Sequence, residues 1–186
     1  RRNEERMERD LTAAREWQKY LLVENCPPCR GLEIAARNEA ANDALLARKI
    51  EARYLTALYA LWRHETRTLR LANAGQPRPF LLRHDEQHVL AATGIPLGLL
   101  PGSEYEELNL TLHPGDTLVL FSDDISESTN RDRQQYGDEG LARILERHAG
   151  AAPAECLDNI FEDVGAFTTS DRKDDDCTVI VVKATD

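Results

Sequence analysis

No stretch of this 186-residue chain approaches the roughly 20 consecutive apolar residues that cross a bilayer as a helix, and the Arg/Glu-rich start carries no secretory h-region. These absences predict a cytoplasmic protein with no membrane insertion. Basic residues are in the minority, 23 Lys and Arg against 33 Asp and Glu for a formal net charge of -10, and no basic stripe offsets the acid. Nucleic acid and anionic membrane surfaces are therefore excluded as expected partners. Cysteine is sparse. Cys26-Pro-Pro-Cys29 has the spacing of half a zinc ribbon or of a redox pair, but neither a second pair nor a nearby His follows. Cys156 fits a helix face and Cys177 opens a strand, both as small core residues. The five histidines (His64, His84, His88, His113 and His148) share no ligand spacing. Also missing are a P-loop, a Gly-x-Ser-x-Gly and a His-Glu-x-x-His. There is no internal repeat and no low-complexity segment. At 41% hydrophobic residues, the length suffices for one domain with a real core and is short for two.

What is present is a pair of apolar runs with acid at one end. Thr117-Leu-Val-Leu-Phe-Ser-Asp123-Asp124 is the first, and Asp174-Asp175-Asp176 leading into Cys177-Thr-Val-Ile-Val-Val182 is the second. Each run is apolar enough for a buried strand, and a strand end is a rigid place from which carboxylates can hold a hard cation such as Mg²⁺ or Mn²⁺. Either cluster by itself also reads as a solvated strand terminus.

The rest of the pattern is α+β. Residues 1–22 predict a helix with an apolar seam at Met7, Leu11, Ala14 and Leu21, read either as an ordinary amphipathic helix or as the tail of a coiled-coil linker. The two prolines of Cys26-Pro-Pro-Cys29 end it. Residues 31–37 alternate as a strand, 43–50 predict a helix, and 54–62 are apolar on both alternating faces, as in a strand covered on both sides. A hairpin partner follows at 68–73, then a turn over 74–79 and short strands near 80–83 and 87–91. Gly94 to Gly98 and Pro101-Gly102 mark a loop. Residues 105–112 alternate again, and His113-Pro-Gly-Asp116 is a turn leading into the strand that ends at Asp123. Two further helices are predicted, 138–148 with Asp138 as N-cap and 153–167 with Cys156, Leu157, Ile160, Phe161, Val164 and Phe167 on one face. A last strand spans 177–183.

An ordered set of segments carries a family resemblance. These are Ala14-Arg15-Glu-Trp-Gln18-Lys-Tyr-Leu21-Leu22, Gly31-Leu-Glu-Ile-Ala-Ala-Arg37, Leu71-Ala-Asn-Ala-Gly75, Thr93-Gly-Ile-Pro-Leu-Gly98, Pro114-Gly-Asp-Thr-Leu-Val-Leu-Phe-Ser-Asp123 with Glu127, and Asp175-Asp-Cys-Thr-Val-Ile-Val181. In that order the chain resembles the SpoIIE/RsbU branch of the PPM phosphatases, bacterial metal-dependent serine/threonine phosphatases related to the type 2C enzymes. The resemblance implies two stacked antiparallel sheets flanked by helices, an αββα sandwich, over residues 23–186, with residues 1–22 as an N-terminal linker helix. It implies two divalent cations, Mn²⁺ or Mg²⁺, held between the sheets. It further implies hydrolysis of phosphoserine or phosphothreonine on a partner such as an anti-anti-sigma factor. The coiled-coil reading of residues 1–22 adds, as expectations, an upstream sensor or receiver domain and a homodimer through that helix. By position, Asp123 and Asp175 match two of the family's metal-ligand aspartates, while Asp124, Asp174 and Asp176 are neighbours that tune the site or face water.

Two departures bear on that expectation. The family follows its Phe-Ser-Asp with Gly, which supplies a backbone conformation or close approach that Asp124 tolerates less well. And between Ala35 and Asp43 relatives carry a Gly-Asp-Tyr-Tyr-Asp-like and an Asp-Val-Ser-Gly-Lys-Gly-like segment, which supply the central acidic ligand and a backbone carbonyl. Here Asn38-Glu-Ala-Ala-Asn42 runs straight to Asp43, so roughly 50 to 60 residues are wanting near positions 39–43 if elements have usual lengths. Either the sequence omits a stretch of a longer natural chain, or the deletion is real. The second case favours a degenerate phosphatase fold that binds a regulatory partner without turning it over.

Overall fold

The computed structural model describes residues 29–39, 56–84, 86–97, 99–100, 103–168 and 177–186. The strands are β1 (Leu32–Glu39), β2 (Ala57–Arg63), β3 (Thr68–Ala74), β4 (Phe80–Arg83), β5 (Glu86–Val89), β6 (Glu107–Thr111), β7 (Thr117–Phe121) and β8 (Cys177–Ala184). The helices among the described residues are α1 (Asp123–Glu127), α2 (Gly137–Arg147) and α3 (Pro153–Thr168). They form two antiparallel sheets, one in the order β1-β8-β7-β4-β5 and one in the order β2-β3-β6. The expectations for residues 1–22 and 43–50 lie outside the described residues.

The central strands show why the two sheets stack. A strand sends successive side chains to opposite faces, so a run that is apolar at every position must be covered on both. In β7, Val119 and Phe121 point into one core with α2 and α3, while Leu118 and Leu120 point into a second core shared with the other sheet. β8 divides the same way, Val179 and Val181 to the helices and Ile180 and Val182 to the sheet. The helix-side core is closed by Leu141, Ile144 and Leu145 of α2 and by Leu157, Ile160 and Val164 of α3. The inter-sheet core is completed by Leu69 and Leu71 of β3 with Leu108 and Leu110 of β6. Fully burying side chains of this kind contributes about 1.5–3 kcal/mol each, so β7 and β8 form the best-anchored part of the molecule.

Three local expectations are corrected. The strand predicted to end at Asp123 stops at Phe121, and Asp123 opens the short helix α1. Asp138 is not the cap of α2. Tyr136 holds that position with no side-chain cap bond, and Asp138 lies in the first turn, where its charge complements the helix dipole. Nor is β2 covered on both sides, since Tyr59 is 65% exposed and Leu61 is also open.

Two of the motif segments prove to be one packed unit. Asn73, 1% exposed, donates from its side-chain amide to Ala92 O (2.8 Å) and Gln76 O (2.9 Å) and accepts from the Gln76 N–H (2.9 Å). Gly94 lies so close beneath the Asn73 carbonyl that a Cβ there would be 2.0 Å from the oxygen. These contacts fasten the loop after β3 to the loop that begins at Thr93, which accounts for Asn and Gly at those places.

Candidate metal-phosphatase site

The site is built where β7 ends beside the start of β8. The antiparallel register pairs Phe121 with Val179, so the chain leaving β7 and the chain entering β8 meet at the same end of the sheet. One residue further, the Ser122 N–H donates to Thr178 O (2.9 Å) and the Thr178 N–H donates to Ser122 Oγ (3.0 Å). Ser122 is still extended, with φ -82° and ψ 156°. Its own carbonyl already accepts the Ile125 N–H (3.1 Å), the first turn of α1. Strand therefore becomes helix within a single residue.

That sharp exchange places Asp123 at the first position of α1, exposed, and Asp124 behind it, half-buried. The helix is pinned from below by Ile125, 0% exposed in the helix-side core. From behind, Ser128 closes it, donating its N–H (3.1 Å) and its hydroxyl (2.7 Å) to Asp124 O. The Ser126 hydroxyl donates to Asp123 O (3.0 Å). After α1 a small hairpin bridged at Thr129 and Gln135 returns the chain to Tyr136, whose N–H donates to Ser128 O (2.8 Å). The Tyr136 hydroxyl donates to Asp163 of α3 (2.7 Å), and burial together with that bond pushes the phenol well above its ordinary pKa. The whole segment that presents Asp123 is thus tied to strand, core and helix.

The opposite end of β7 carries a very different aspartate. Asp116 is 3% exposed, accepts Arg83 Nε with both carboxylate oxygens (3.1 Å each) and Arg83 Nη2 (2.5 Å), and accepts the His113 N–H (2.8 Å). Burial by itself would raise its pKa, but the Arg83 hydrogen bonds and the His113 N–H outweigh it and hold the carboxyl below its ordinary value. It is a fully engaged structural group.

The oxygen chemistry of the Asp123 end fits a hard divalent cation, and the exposure of Asp123 leaves it accessible to one. Among the described residues no group of three or more His, Cys, Asp or Glu comes together. Asp174, Asp175 and Asp176 lie outside the described residues. What the sequence reading missed was Ser122 and the helix behind it. Ser followed by two acidic residues is the signature of a helix start, and it was available in Ser122-Asp123-Asp124.

Comparison with known proteins agrees with this architecture. The chain is similar in structure to the PP2C phosphatase domain of SpoIIE from Bacillus subtilis, with a TM-score of 0.60 and 25% identity, covering 69% of this chain and 37% of that one. It shares the fold of the SiaA PP2C domain of Pseudomonas aeruginosa, with a TM-score of 0.63 and 19% identity over 74% of this chain and 54% of that chain. Residues 25–185 match the sequence profile of the family described as Stage II sporulation protein E (SpoIIE). The chain belongs to that family, in the SpoIIE/RsbU branch of the PPM-type phosphatases. In sequence it is 26% identical over 133 residues to the phosphoserine phosphatase RsbU of Bacillus subtilis, covering 70% of this chain. The chain spans only 17% to 39% of the length of the curated relatives it matches.

Proposed function

We propose that this protein is a divalent-metal-dependent serine/threonine phosphatase acting on a phosphorylated anti-anti-sigma-like partner in the cytoplasm. The observation that carries the reading is the bonded junction of Ser122 with Thr178, which sets Asp123 beside the start of β8. Asp175 precedes Cys177, the first residue of β8, by two positions in the sequence. Asp123 and Asp175 are the proposed metal ligands, with Asp124, Asp174 and Asp176 as neighbours that adjust charge around them. When bound, a pair of Mn²⁺ or Mg²⁺ ions supplies an activated water and positive charge for in-line attack on phosphorus. The protein's own part is to hold Asp123 at the start of α1, tied to β8 through Ser122, and leave it open to the phosphorylated segment. No side-chain nucleophile is required. Membership of the family supports this reading, as does the absence of basic stripes that would divert the protein to nucleic acid.

In the same proposal residues 23–186 form the phosphatase domain, and residues 1–22 form a linker that joins an upstream sensor or receiver and pairs two copies. Release of phosphate from a phosphoserine peptide with Mn²⁺ tests the activity. Asp123→Ala and Asp175→Ala should each abolish it, and unchanged turnover in either would sink the ligand assignment. A second reading, a regulatory binding module without turnover, is favoured by one observation. Only residues 40–56 connect β1 to β2, where the resemblance calls for further strands and a central acidic ligand. Under that reading the wild-type protein captures its partner but releases no phosphate.

A further inference from the structure

The junction at Ser122 does something a strand end ordinarily cannot. In an antiparallel ladder a hydrogen-bonded pair exchanges two backbone bonds, N–H to carbonyl in each direction. Ser122 and Thr178 make the first of these through the backbone, Ser122 N–H to Thr178 O at 2.9 Å. For the second, the Ser122 hydroxyl stands in for the Ser122 carbonyl and accepts the Thr178 N–H at 3.0 Å. The displaced carbonyl is thereby free to turn and accept the Ile125 N–H at 3.1 Å, opening α1. An N-cap serine commonly spends its hydroxyl on its own helix, yet here the side chain makes no cap bond. It serves the neighbouring strand instead.

We infer that Ser122 is a positioning residue for the metal site, its hydroxyl fixing the Asp123 carboxylate against β8. The inference rests on the phosphatase reading above and goes beyond it, since it assigns the aim of Asp123 to a residue that need not touch metal or substrate. Without the hydroxyl, either the Thr178 N–H loses its acceptor or the Ser122 carbonyl returns to the ladder. In the second case the first turn of α1 unwinds and Asp123 swings away. A residue with no oxygen on Cβ cannot satisfy both demands, whereas threonine can. Partners that orient a metal ligand typically affect metal affinity by about 10- to 100-fold when removed.

The test compares wild type with Ser122→Ala, Ser122→Cys and Ser122→Thr in the full chain. It uses calorimetric titration of the metal-free protein with Mn²⁺, phosphopeptide kinetics and metal-free thermal melts. Ser122→Ala should weaken Mn²⁺ binding by about 10-fold or more and lower kcat with little change in KM. Its metal-free melting temperature should fall by only a few degrees. Ser122→Cys keeps the shape with a poor acceptor and should follow Ser122→Ala, providing a folded variant if alanine proves unstable. Ser122→Thr should bind Mn²⁺ within about 3-fold of wild type, because the acceptor is retained. Wild-type Mn²⁺ affinity in both Ser122→Ala and Ser122→Cys would overturn the inference while leaving the phosphatase reading intact. Failure of the wild type itself to bind Mn²⁺ or release phosphate would overturn both, and it is seen before any variant is made.

Discussion

The two ends of β7 carry aspartates seven positions apart in the chain, and they have been put to opposite uses. Asp116 enters the strand buried, engaged by Arg83 and by the His113 N–H, so that its carboxylate is spent on holding the turn to the sheet. Asp123 leaves the strand exposed, with the bonds around it made by the backbone and by Ser122, Ser126 and Ser128. The strand and its two cores are common to both. What differs is who satisfies the polar groups. At one end an arginine engages the carboxylate, and at the other serine hydroxyls bond the backbone while no cation among the described residues is bonded to the Asp123 carboxylate. A carboxylate becomes available for chemistry when its neighbours meet the needs of the chain without it.

The sharpest way to break this contrast is to remove the charge at each end in turn. Asp123→Asn should reduce Mn²⁺-dependent phosphate release by at least about 100-fold while leaving the thermal midpoint within a few degrees of wild type. A fall in stability without loss of turnover would place Asp123 with Asp116. Asp116→Ala removes the buried carboxylate that Arg83 and the His113 N–H bind and should cost about 1–3 kcal/mol in urea unfolding, with turnover per folded molecule retained. A loss below about 1 kcal/mol would show the pair to be no more than a surface ion pair.

The pH dependence sharpens the comparison from another side. Because the folded pKa of Asp116 is depressed below the unfolded value of about 3.9, its contribution to stability is fully present above that value and is lost as pH falls through the folded pKa. The stability gap between wild type and Asp116→Asn should therefore be widest above about pH 5 and narrow below about pH 4. A gap that does not change with pH would show that the ionised form is not what is being stabilised. The smallest effect concerns the turn before Asp116. Gly115 has φ +92° with open space around it, so Gly115→Ala meets backbone strain but no clash and should cost about 1 kcal/mol.

Much of this was legible in the residues. Continuous apolar runs marked β7 and β8 as strands buried on both faces, and the 3.6-residue spacing of Cys156, Leu157, Ile160 and Val164 marked α3. The same reasoning misjudged β2. Tyr59 and Leu61 are apolar yet exposed, and periodicity cannot tell a covered apolar face from an open one. The helix α1 was hidden because five residues are too few to show a period. Pairings at long range were invisible for another reason. Nothing local in Arg83 announces Asp116, 33 positions on, and nothing in Ser122 announces Thr178, 56 positions on. Asp123 was picked out by its place at the end of an apolar run and by the family resemblance, but its presentation depends on those distant bonds.

Calorimetric titration with Mn²⁺ of the wild-type protein, Asp123→Asn and Asp116→Asn, at a temperature where all three are folded, tests the division most directly. Wild type and Asp116→Asn should bind Mn²⁺ with equal affinity while Asp123→Asn binds it weakly or not at all. Equal binding by Asp123→Asn and wild type, or a loss confined to Asp116→Asn, would contradict the assignment of the two ends.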